Sequence, residues 1–556
     1  MIVKTLILVV TLTPSVAFLQ RNQISRDTRL TLTAGLLNHM GSSQSSSSSS
    51  SKGLPKPEVN HPNDADADKD EMPENKIESP GPFENDWKTA VERFKKSVLD
   101  ASYLPVPIRG TSVNAADLYP SSFPNHPGLM PGSHKHLGGA YDKTDGCIYG
   151  VPANSKSILC MYPSKDEKED LNEGNPDLHN CGYKMTTIPL PKRIVDREMK
   201  WLRGIVSHGY LWAIPAWADS VLCVDLDAFW GRRDLSEGQT DVVQLIPLPE
   251  DHPKSMRWQW HGAGINIEQT AIYCIPSNAN KVLKVDVETK TTSFIEIEYD
   301  KTKYPDFTLD VTNKWYGGIV GDDNAVYGIP YRASGVLRID AKTDSAKIIG
   351  PNYGVGNYFW HGGIKVKGKI YAHPSHAETV LVIDTTKDTE TDIISELPIH
   401  RAAYDTDNRK NYKWLGGCVG ADGNIYCPAC DASSILKINV ETDYCETLGF
   451  AGKDKNKWQG GILGRDNCIY CIPANGLDVC RIATDKSIES GKNPIQLIGN
   501  LSTHKDKWQG AATGKDGSLY FIPENSYRVM RVTPPKKTPE IVDGKLPEGD
   551  VRIELM

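Results

Sequence analysis

The chain has 556 residues, of which 39% are hydrophobic and 24% charged, and its formal net charge at pH 7 is −7. This composition predicts a globular protein with ample length for a large core. The acidic balance and the absence of a clustered basic helix argue against a nucleic-acid partner. After residue 17, no apolar stretch of the sequence approaches the roughly 18 residues that span a bilayer.

The first 17 residues have the pattern of a secretory signal peptide: Lys4, an apolar run over residues 5–12, and small residues up to Ala17. Residues 18–52 are basic, serine-rich and poor in acids, which is typical of a transit peptide. A signal that ends before Phe18 and continues into such a segment resembles the bipartite presequence of algae with secondary plastids. This resemblance implies the secretory route and a plastid destination. The alternative is a secreted, extracellular protein in which residues 18–52 are a linker.

Two further segments precede the main domain. Residues 53–84 combine many acids with proline and asparagine, and such a segment is predicted to be a disordered linker. In residues 85–130, apolar side chains spaced four, three and four apart predict one short amphipathic helix that docks on the following domain. These side chains are Trp87, Val91, Phe94 and Val98.

From residue 131 onward the chain repeats a unit of about 53 residues, a length typical of propeller blades with their loops. Each copy begins at an anchor residue that is nearly always tryptophan, and glycine usually follows in a pair. Three copies depart from that pair, with Arg203-Gly204, Gly262-Ala263 and Gly510-Ala511. The eight anchors are His136, Trp201, Trp260, Trp315, Trp360, Trp414, Trp458 and Trp508.

Most copies then contain an Asp-Gly or Asp-Asn turn. An aromatic residue shortly before a proline follows, and then a β-branched run that often ends in an acid. This pattern predicts four short antiparallel strands with tight turns. Four strands alone leave their edges and faces unburied, and stacking around an axis buries them. We therefore predict an all-β fold, an eight-bladed β-propeller over residues 131–556. Seven blades are the alternative, because the first copy has His136 as its anchor and a long insertion.

The blade motif is illustrated by Tyr273–Pro276 followed by Val282–Asp286. It is similar to the broad superfamily that holds virginiamycin B lyase and the gluconolactonase and strictosidine synthase-like propellers. The resemblance implies the fold. Enzymes of that superfamily place a metal and acid–base side chains at the channel, but no residue here matches theirs individually. No catalytic residue or cofactor is therefore assigned.

A lysine stands directly before most anchors, and we call these six residues the strand-start lysines: Lys135, Lys200, Lys314, Lys413, Lys457 and Lys507. In a closed ring they would surround one mouth of the channel and favour an anionic partner, namely a small molecule, a glycan or a protein. The long variable connections share that face, which is typical of a binding side. The sequence thus predicts a binding or scaffolding propeller. Alternatively, each lysine lies over a tryptophan with its charge in water.

The residue after each anchor alternates with it along the strand and is expected to approach the channel. Four members of this series break an apolar majority and are candidate ligand-binding residues: His261, His361, Gln459 and Gln509. The two histidines also suggest an alternative function, a metal-assisted lyase or hydrolase, although no regularly placed carboxylate accompanies them. Otherwise the four residues are a satisfied polar lining. His373 and His376 are weaker candidates.

The spacing of Cys427 and Cys430, and of Cys468 and Cys471, suggests a zinc site. However, these cysteines occupy recurrent positions of the repeat, so repetition explains the spacing better and we predict no metal site.

Hairpin geometry also allows disulfides between Cys147 and Cys160 and between Cys468 and Cys480, but the sequence favours buried free thiols that pack as small apolar residues. The acids that end the third strands are expected to bind the backbone of the following turn rather than calcium. They are Asp225, Asp286, Asp340 and Asp384.

Overall fold

The computed structural model describes residues 130, 132–164, 182–235, 239–253, 255–387, 392–401, 411–484, 494–536 and 551–556. The predicted signal peptide, transit-like segment, acidic linker and docking helix all lie outside these residues. Within the described ranges, no helix is long and apolar enough to cross a bilayer.

The described chain consists almost entirely of four-stranded antiparallel units, one for each copy of the repeat. In units 1 to 4 the elements are β1 (His136–Tyr141), β2 (Ile148–Pro152), β3 (Ser157–Pro163), β4 (Tyr183–Pro189); β5 (Trp201–Ser207), β6 (Tyr210–Pro215), β7 (Ser220–Asp225), α1 (Leu226–Phe229), β8 (Val243–Pro247); β9 (Trp260–Ile265), β10 (Ala271–Pro276), β11 (Val282–Asp286), β12 (Thr291–Ile295), the short β13 (Ile297–Glu298); and β14 (Trp315–Val320), β15 (Ala325–Pro330), β16 (Val336–Asp340), β17 (Ser345–Ile349).

Units 5 to 8 follow the same plan. Their strands are β18 (Trp360–Val366), β19 (Lys369–Pro374), β20 (Thr379–Asp384), β21 (Ile394–His400); β22 (Cys418–Val419), β23 (Ile425–Cys427), β24 (Ile435–Asn439), β25 (Tyr444–Leu448); β26 (Trp458–Leu463), β27 (Cys468–Pro473), β28 (Val479–Ala483), β29 (Ile495–Ile498); and β30 (Trp508–Thr513), β31 (Leu519–Pro523), β32 (Met530–Thr533), β33 (Arg552–Leu555).

The units close into a ring around an axis. The first strand of each unit is innermost, and β1 contacts both β5 of the next unit and β30 of the last. Elsewhere a segment that leaves one unit pairs in parallel with the outer strand of the next: β13 adds to β17, and β21 to β25. The closed ring of sheets confirms the predicted β-propeller fold.

Glycine after the anchor lets the innermost strands approach one another. A Cβ on Gly262 would lie 1.9 Å from the carbonyl oxygen of Gly317, and one on Gly318 would lie 2.4 Å from the carbonyl carbon of Ala263. The second residue after the anchor has a positive φ in every unit, which creates a bulge in the innermost strand. This bulge directs the rest of the strand along the channel.

The anchor tryptophans are structural. All seven are buried, and each donates its indole N–H to the carbonyl oxygen that precedes or begins the third strand of its own unit, as Trp315 does to Gly335 at 2.8 Å. The same bond recurs at Trp201, Trp260, Trp360, Trp414, Trp458 and Trp508. A large ring with a satisfied N–H between adjacent sheets explains why this position selects tryptophan.

The sixth unit is irregular: its aromatic residue and proline, Tyr426 and Pro428, are two positions apart, whereas Tyr470 and Pro473 of the seventh unit are three apart. Its first strand is reduced to two residues, Cys418–Val419, and its anchor makes only an isolated bridge, from Trp414 to Ala429. The register itself is kept, since Trp414 faces Ala429 as Trp458 faces Pro473 in the next unit. Pro428 stands one position earlier than the other prolines, and because it has no backbone N–H it removes a hydrogen bond from the ladder.

Candidate ligand-binding site in the central channel

The strand-start lysines are buried, with between 0 and 3% of each residue exposed. Their ammonium groups donate hydrogen bonds to backbone carbonyl oxygens. Lys457 Nζ lies 3.1, 2.8 and 2.7 Å from the carbonyl oxygens of Cys430, Ala432 and Asp454. Lys135, Lys200, Lys314, Lys413 and Lys507 make the same kind of bond. Four of these lysines connect the innermost strand of one unit to the turn of the preceding unit: Lys135, Lys413, Lys457 and Lys507. The bonds of Lys200 and Lys314 go to carbonyl oxygens three residues earlier in the chain.

This placement does not support the sequence-based hypothesis of an anion-binding collar, because the amines are enclosed and already bonded. It also differs from the alternative, in which the charge is in water. Desolvation by burial lowers the pKa of Lys135, Lys314 and Lys507 to about 7 and that of Lys200 to about 8. The four lysines that reach the preceding unit therefore act as clamps between blades.

The eight residues that follow the anchors are all buried, and three of them contact one another across units: His261, Tyr316 and His361. On one side they form an aromatic stack. The rings of His261 and Tyr316 are 3.7 Å apart between centroids, and His261 and His361 are 6.2 Å apart. Tyr331 lies against both Tyr316 and His361. The ring closure thus brings together two histidines that are two units apart in sequence.

The two histidines differ in their surroundings. Neither ring nitrogen of His261 has a hydrogen-bond partner among the described residues, and burial, followed by the nearby charge of Arg203, lowers the pKa of His261 well below 6.5. His361 lines a cavity, whereas His261 is not part of that lining. Within the described ranges, no three His, Cys, Asp or Glu side chains are grouped so as to hold a metal ion. The metal-assisted lyase or hydrolase stays a prediction.

The two glutamines lie in the other part of the ring. Gln459 donates from Nε2 to Asn456 Oδ1 at 2.6 Å, and Asn456 in turn donates to Asp506. Gln509 is 2% exposed. These contacts support the interpretation of Gln459 as a satisfied polar lining.

A cavity of about 430 Å³ occupies the channel on the half nearer the Asp-Gly turns. Its walls are the parts of the innermost strands that follow the bulge, with apolar side chains such as Ile205, Ile265 and Ile319. The sequence had favoured the opposite face, where the connections are long. Several of those connections lie outside the described residues.

The charged residues of the described cavity lining are all cations: Arg203, Lys143 and Lys365. Lys365 is paired with Asp322 at 2.7 Å, and Lys143 is exposed in the turn after β1. Arg203 lies deeper, at the bulge of β5, where its guanidinium is next to Gly262. It keeps part of its surface accessible, although desolvation lowers its pKa to about 10.

Arg203 departs from a rule that the other seven units obey. The bulge position has φ of 64° at Arg203, and the corresponding residues are all glycine: Gly138, Gly262, Gly317, Gly362, Gly416, Gly460 and Gly510. An arginine there carries backbone strain and a desolvated charge together. The departure was visible in the sequence as Arg203-Gly204, but only the channel geometry gives it a possible role.

The strand register rules out one of the cysteine pairs that hairpin geometry allowed, Cys468 with Cys480. Cys468 is opposite Ala483, and because Tyr470 pairs with Arg481, the next pair in the ladder is Cys471 with Cys480. All eleven described cysteines are free thiols.

The acids that end the third strands accept turn N–H groups, as predicted. The bonds at Asp225, Asp286, Asp340 and Asp384 are 2.8 to 3.1 Å long.

Comparisons with known proteins give similarities to solved structures only. No family model and no curated protein matches the chain. Among solved structures, the chain is similar to a streptogramin B lyase, with 15% identity over 62% of this chain and 93% of that one and a TM-score of 0.40. The chain is also similar to virginiamycin B lyase from Staphylococcus aureus, with 14% identity over 64% of this chain and 93% of that one and a TM-score of 0.39. For apo AztD from Citrobacter koseri, the identity is 10% over 66% of this chain and 87% of that one, and the TM-score is 0.38. At these TM-scores the comparisons assign neither the fold nor the function of this chain, and the propeller rests on the order of its own sheets.

Proposed function

We propose that this protein is a ligand-binding propeller whose central cavity takes a small molecule with an anionic group. The anion is bound by Arg203, and the apolar walls of the cavity enclose the rest of the ligand. A volume of about 430 Å³ is within the usual range of small-molecule sites. The sequence also predicted an anionic partner, but the proposed binding residue is now Arg203 in the channel and not the strand-start lysines.

The observation that carries this proposal is the arginine at the bulge. Backbone strain at a non-glycine residue with positive φ costs on the order of 1 kcal/mol, and desolvation of the guanidinium adds to that cost. Seven units avoid both costs with glycine. A local rule that is broken at one place in a repeat, inside a cavity, is typical of a functional position. An anion in the cavity would form charge-assisted hydrogen bonds with Arg203 and restore its pKa.

The direct test is Arg203→Gly, which installs the residue of the other seven units. Isothermal titration measures the affinities for phenylacetate, phenyl phosphate and the neutral phenylacetamide at two salt concentrations. We expect the wild-type protein to bind at least one anion and to bind the amide much more weakly. The variant should lose roughly 10- to 100-fold in anion affinity, because a hydrogen bond to a charged group contributes about 1.5–3 kcal/mol.

The same variant should be at least as stable as the wild-type protein, because strain and desolvation are removed. Lys342→Met is the matched control, since Lys342 is exposed in a turn far along the chain from Arg203. It removes one positive charge from the surface and should change neither affinity nor stability. Equal anion binding by Arg203→Gly and wild type would refute the proposal.

For the compartment, we propose entry into the secretory route, with a plastid destination or secretion as its two outcomes. The support is the order of residue types over residues 1–52. Fusing residues 1–52 to a fluorescent protein in an alga with secondary plastids distinguishes them: plastid fluorescence favours the bipartite presequence, and fluorescence in the medium favours simple secretion. Fluorescence in the cytosol would contradict both.

A further inference from the structure

Neighbouring units share a repeated contact at the rim of the channel, on the face where the innermost strands begin. Two residues before each anchor, the backbone has a φ of 45–55° in all eight units. At five of the eight boundaries between units, which we call seams, an Asn or Asp of the preceding unit accepts a hydrogen bond from the backbone N–H of that residue, at 2.6–2.8 Å. These pairs are Asn154 with Met199, Asn278 with Asn313, Asp431 with Asn456, Asn475 with Asp506, and Asn525 with His134. The bond stabilises a backbone conformation that residues other than glycine rarely adopt.

Three seams depart from this rule. There the Asn or Asp is replaced and the residue opposite is aromatic: Trp217 with Trp258, Arg332 with Tyr358, and His376 with Tyr412. Large aromatic residues tolerate a positive φ poorly. Because tryptophan and arginine side chains have no acceptor atom, Trp258 and Tyr358 also lose the side-chain bond of the regular seams. Strain and a lost hydrogen bond both reduce stability, which indicates a role other than holding the units together.

The rings at these seams carry arginines on their faces. The guanidinium of Arg257 lies over the ring of Trp217, 4.6 Å from its centroid, and the rings of Trp217 and Trp258 are 5.5 Å apart. Arg332 lies in the same way over Tyr358, at 5.2 Å. We call the residues of the three departing seams, together with Arg257, the arginine–aromatic rim.

The side chains of the arginine–aromatic rim reach solvent. Arg257 is exposed, and the six residues of the departing seams are partly exposed. Within the described part of the chain, neither Arg257 nor Arg332 forms an ion pair, and Arg332 donates hydrogen bonds to Thr312. Arg338, by contrast, pairs with Asp323 at 2.9 Å. The rim therefore presents two positive charges that no described carboxylate neutralises.

We propose that the arginine–aromatic rim is a docking site for an acidic, extended peptide segment of a partner protein. A guanidinium that lies flat on a ring keeps its N–H edge free to bind a carboxylate with two hydrogen bonds. Trp, Tyr and Arg are also the residue types that contribute most to protein–protein binding. The three seams fall among four successive seams around the rim, and an arc of contacts suits a chain better than a compact ligand. The cavity lies in the other half of the channel, so this proposal is independent of the proposed function.

The experiment measures binding of labelled acidic polymers to the full-length protein by fluorescence anisotropy, at 50 and 200 mM NaCl. The probe is a random copolymer of glutamate and tyrosine, which is compared with polyglutamate of the same length and with heparin. We expect the copolymer to bind about tenfold more tightly than polyglutamate, because the rings of the rim add contacts with its tyrosines. Its affinity should fall at the higher salt concentration.

Two variants install the residue of the regular seams. Trp217→Asn and Arg332→Asn supply the missing acceptor for the backbone N–H of Trp258 and Tyr358, so both should unfold at the same urea concentration as the wild-type protein or at a higher one. Each should weaken copolymer binding about tenfold or more. If Trp217→Asn fails to fold, Arg257→Gln replaces it, because Arg257 is exposed.

The matched control is Arg193→Asn. Arg193 is exposed in the connection before β5, on the same face, and among the described residues no ring lies against it. The control should change copolymer affinity less than about twofold. Equal losses in Arg193→Asn and Arg332→Asn would show general charge attraction and overturn the proposal, as would unchanged binding by Arg332→Asn. Tighter binding of heparin than of the copolymer would overturn it in favour of an acidic glycan.

Discussion

The clamp role of the strand-start lysines makes a quantitative prediction at Lys457. The change is Lys457→Met, which keeps an apolar stem of similar length and removes the ammonium group. Three hydrogen bonds to carbonyl oxygens are lost, at 2.7 to 3.1 Å. Bonds that involve a charged group contribute about 1.5–3 kcal/mol each. Their loss would therefore cost roughly 4.5–9 kcal/mol before any compensation.

Compensation comes from the charge itself. A buried ammonium pays a desolvation penalty of several kcal/mol, and methionine does not. One of the three acceptors, the carbonyl of Cys430, also keeps its bond from the backbone N–H of residue 457. We therefore expect a net loss of about 2–4 kcal/mol in the free energy of unfolding. With urea slopes of about 1–3 kcal/mol per molar, the midpoint should fall by roughly 1–2 M.

The assay is equilibrium urea unfolding followed by tryptophan fluorescence, with phenylacetate titration under native conditions. The control is Lys342→Met, which should stay within about 0.5 kcal/mol of the wild-type protein, as exposed substitutions usually do. An unchanged midpoint for Lys457→Met, together with lost anion binding, would refute the clamp and restore the anion-binding collar.

Three further outcomes are expected. Asp466→Asn should cost about 3–5 kcal/mol in thermal unfolding, because Asp466 and Arg481 form a fully buried pair at 2.7 Å and the arginine would remain charged without it. Stability should fall as the pH falls from 6.5 to 4. Burial lowers the pKa of His136 to about 3, so in this range the unfolded chain binds a proton that the folded chain does not bind. His136→Gln should reduce that slope by up to about 1.4 kcal/mol per pH unit, and an unchanged slope would contradict the assignment. Refolding from urea in a buffer of reduced and oxidised glutathione should join Cys471 to Cys480, which are opposite one another in the ladder, and a different bridge in non-reducing peptide maps would show that the register is wrong.

The candidate site shows why sequence patterns predict the strands of this protein better than they predict what individual residues do. The lysines recur in six of the eight units, and their repetition in sequence looks the same whether an amine is bonded inside or exposed outside. Whether Nζ of Lys314 reaches solvent or the carbonyl of Val311 depends on where the preceding segment passes, which no spacing encodes. Arg203 was visible as an exception to the glycine rule. Only the tertiary structure shows that the bulge at Arg203 faces a cavity.

By itself, the sequence determined the repeating strand order, the anchor positions, the closely packed glycines and hence the propeller, because periodicity and turn chemistry are local properties of each copy. Tertiary structure alone decided which residues of distant copies share the channel. His261 and His361 became neighbours, and Arg203 and His373 came to line one cavity. The physical reason is ring closure, which sets distances between residues more than a hundred positions apart, and the sequence of any one copy contains no information about those distances.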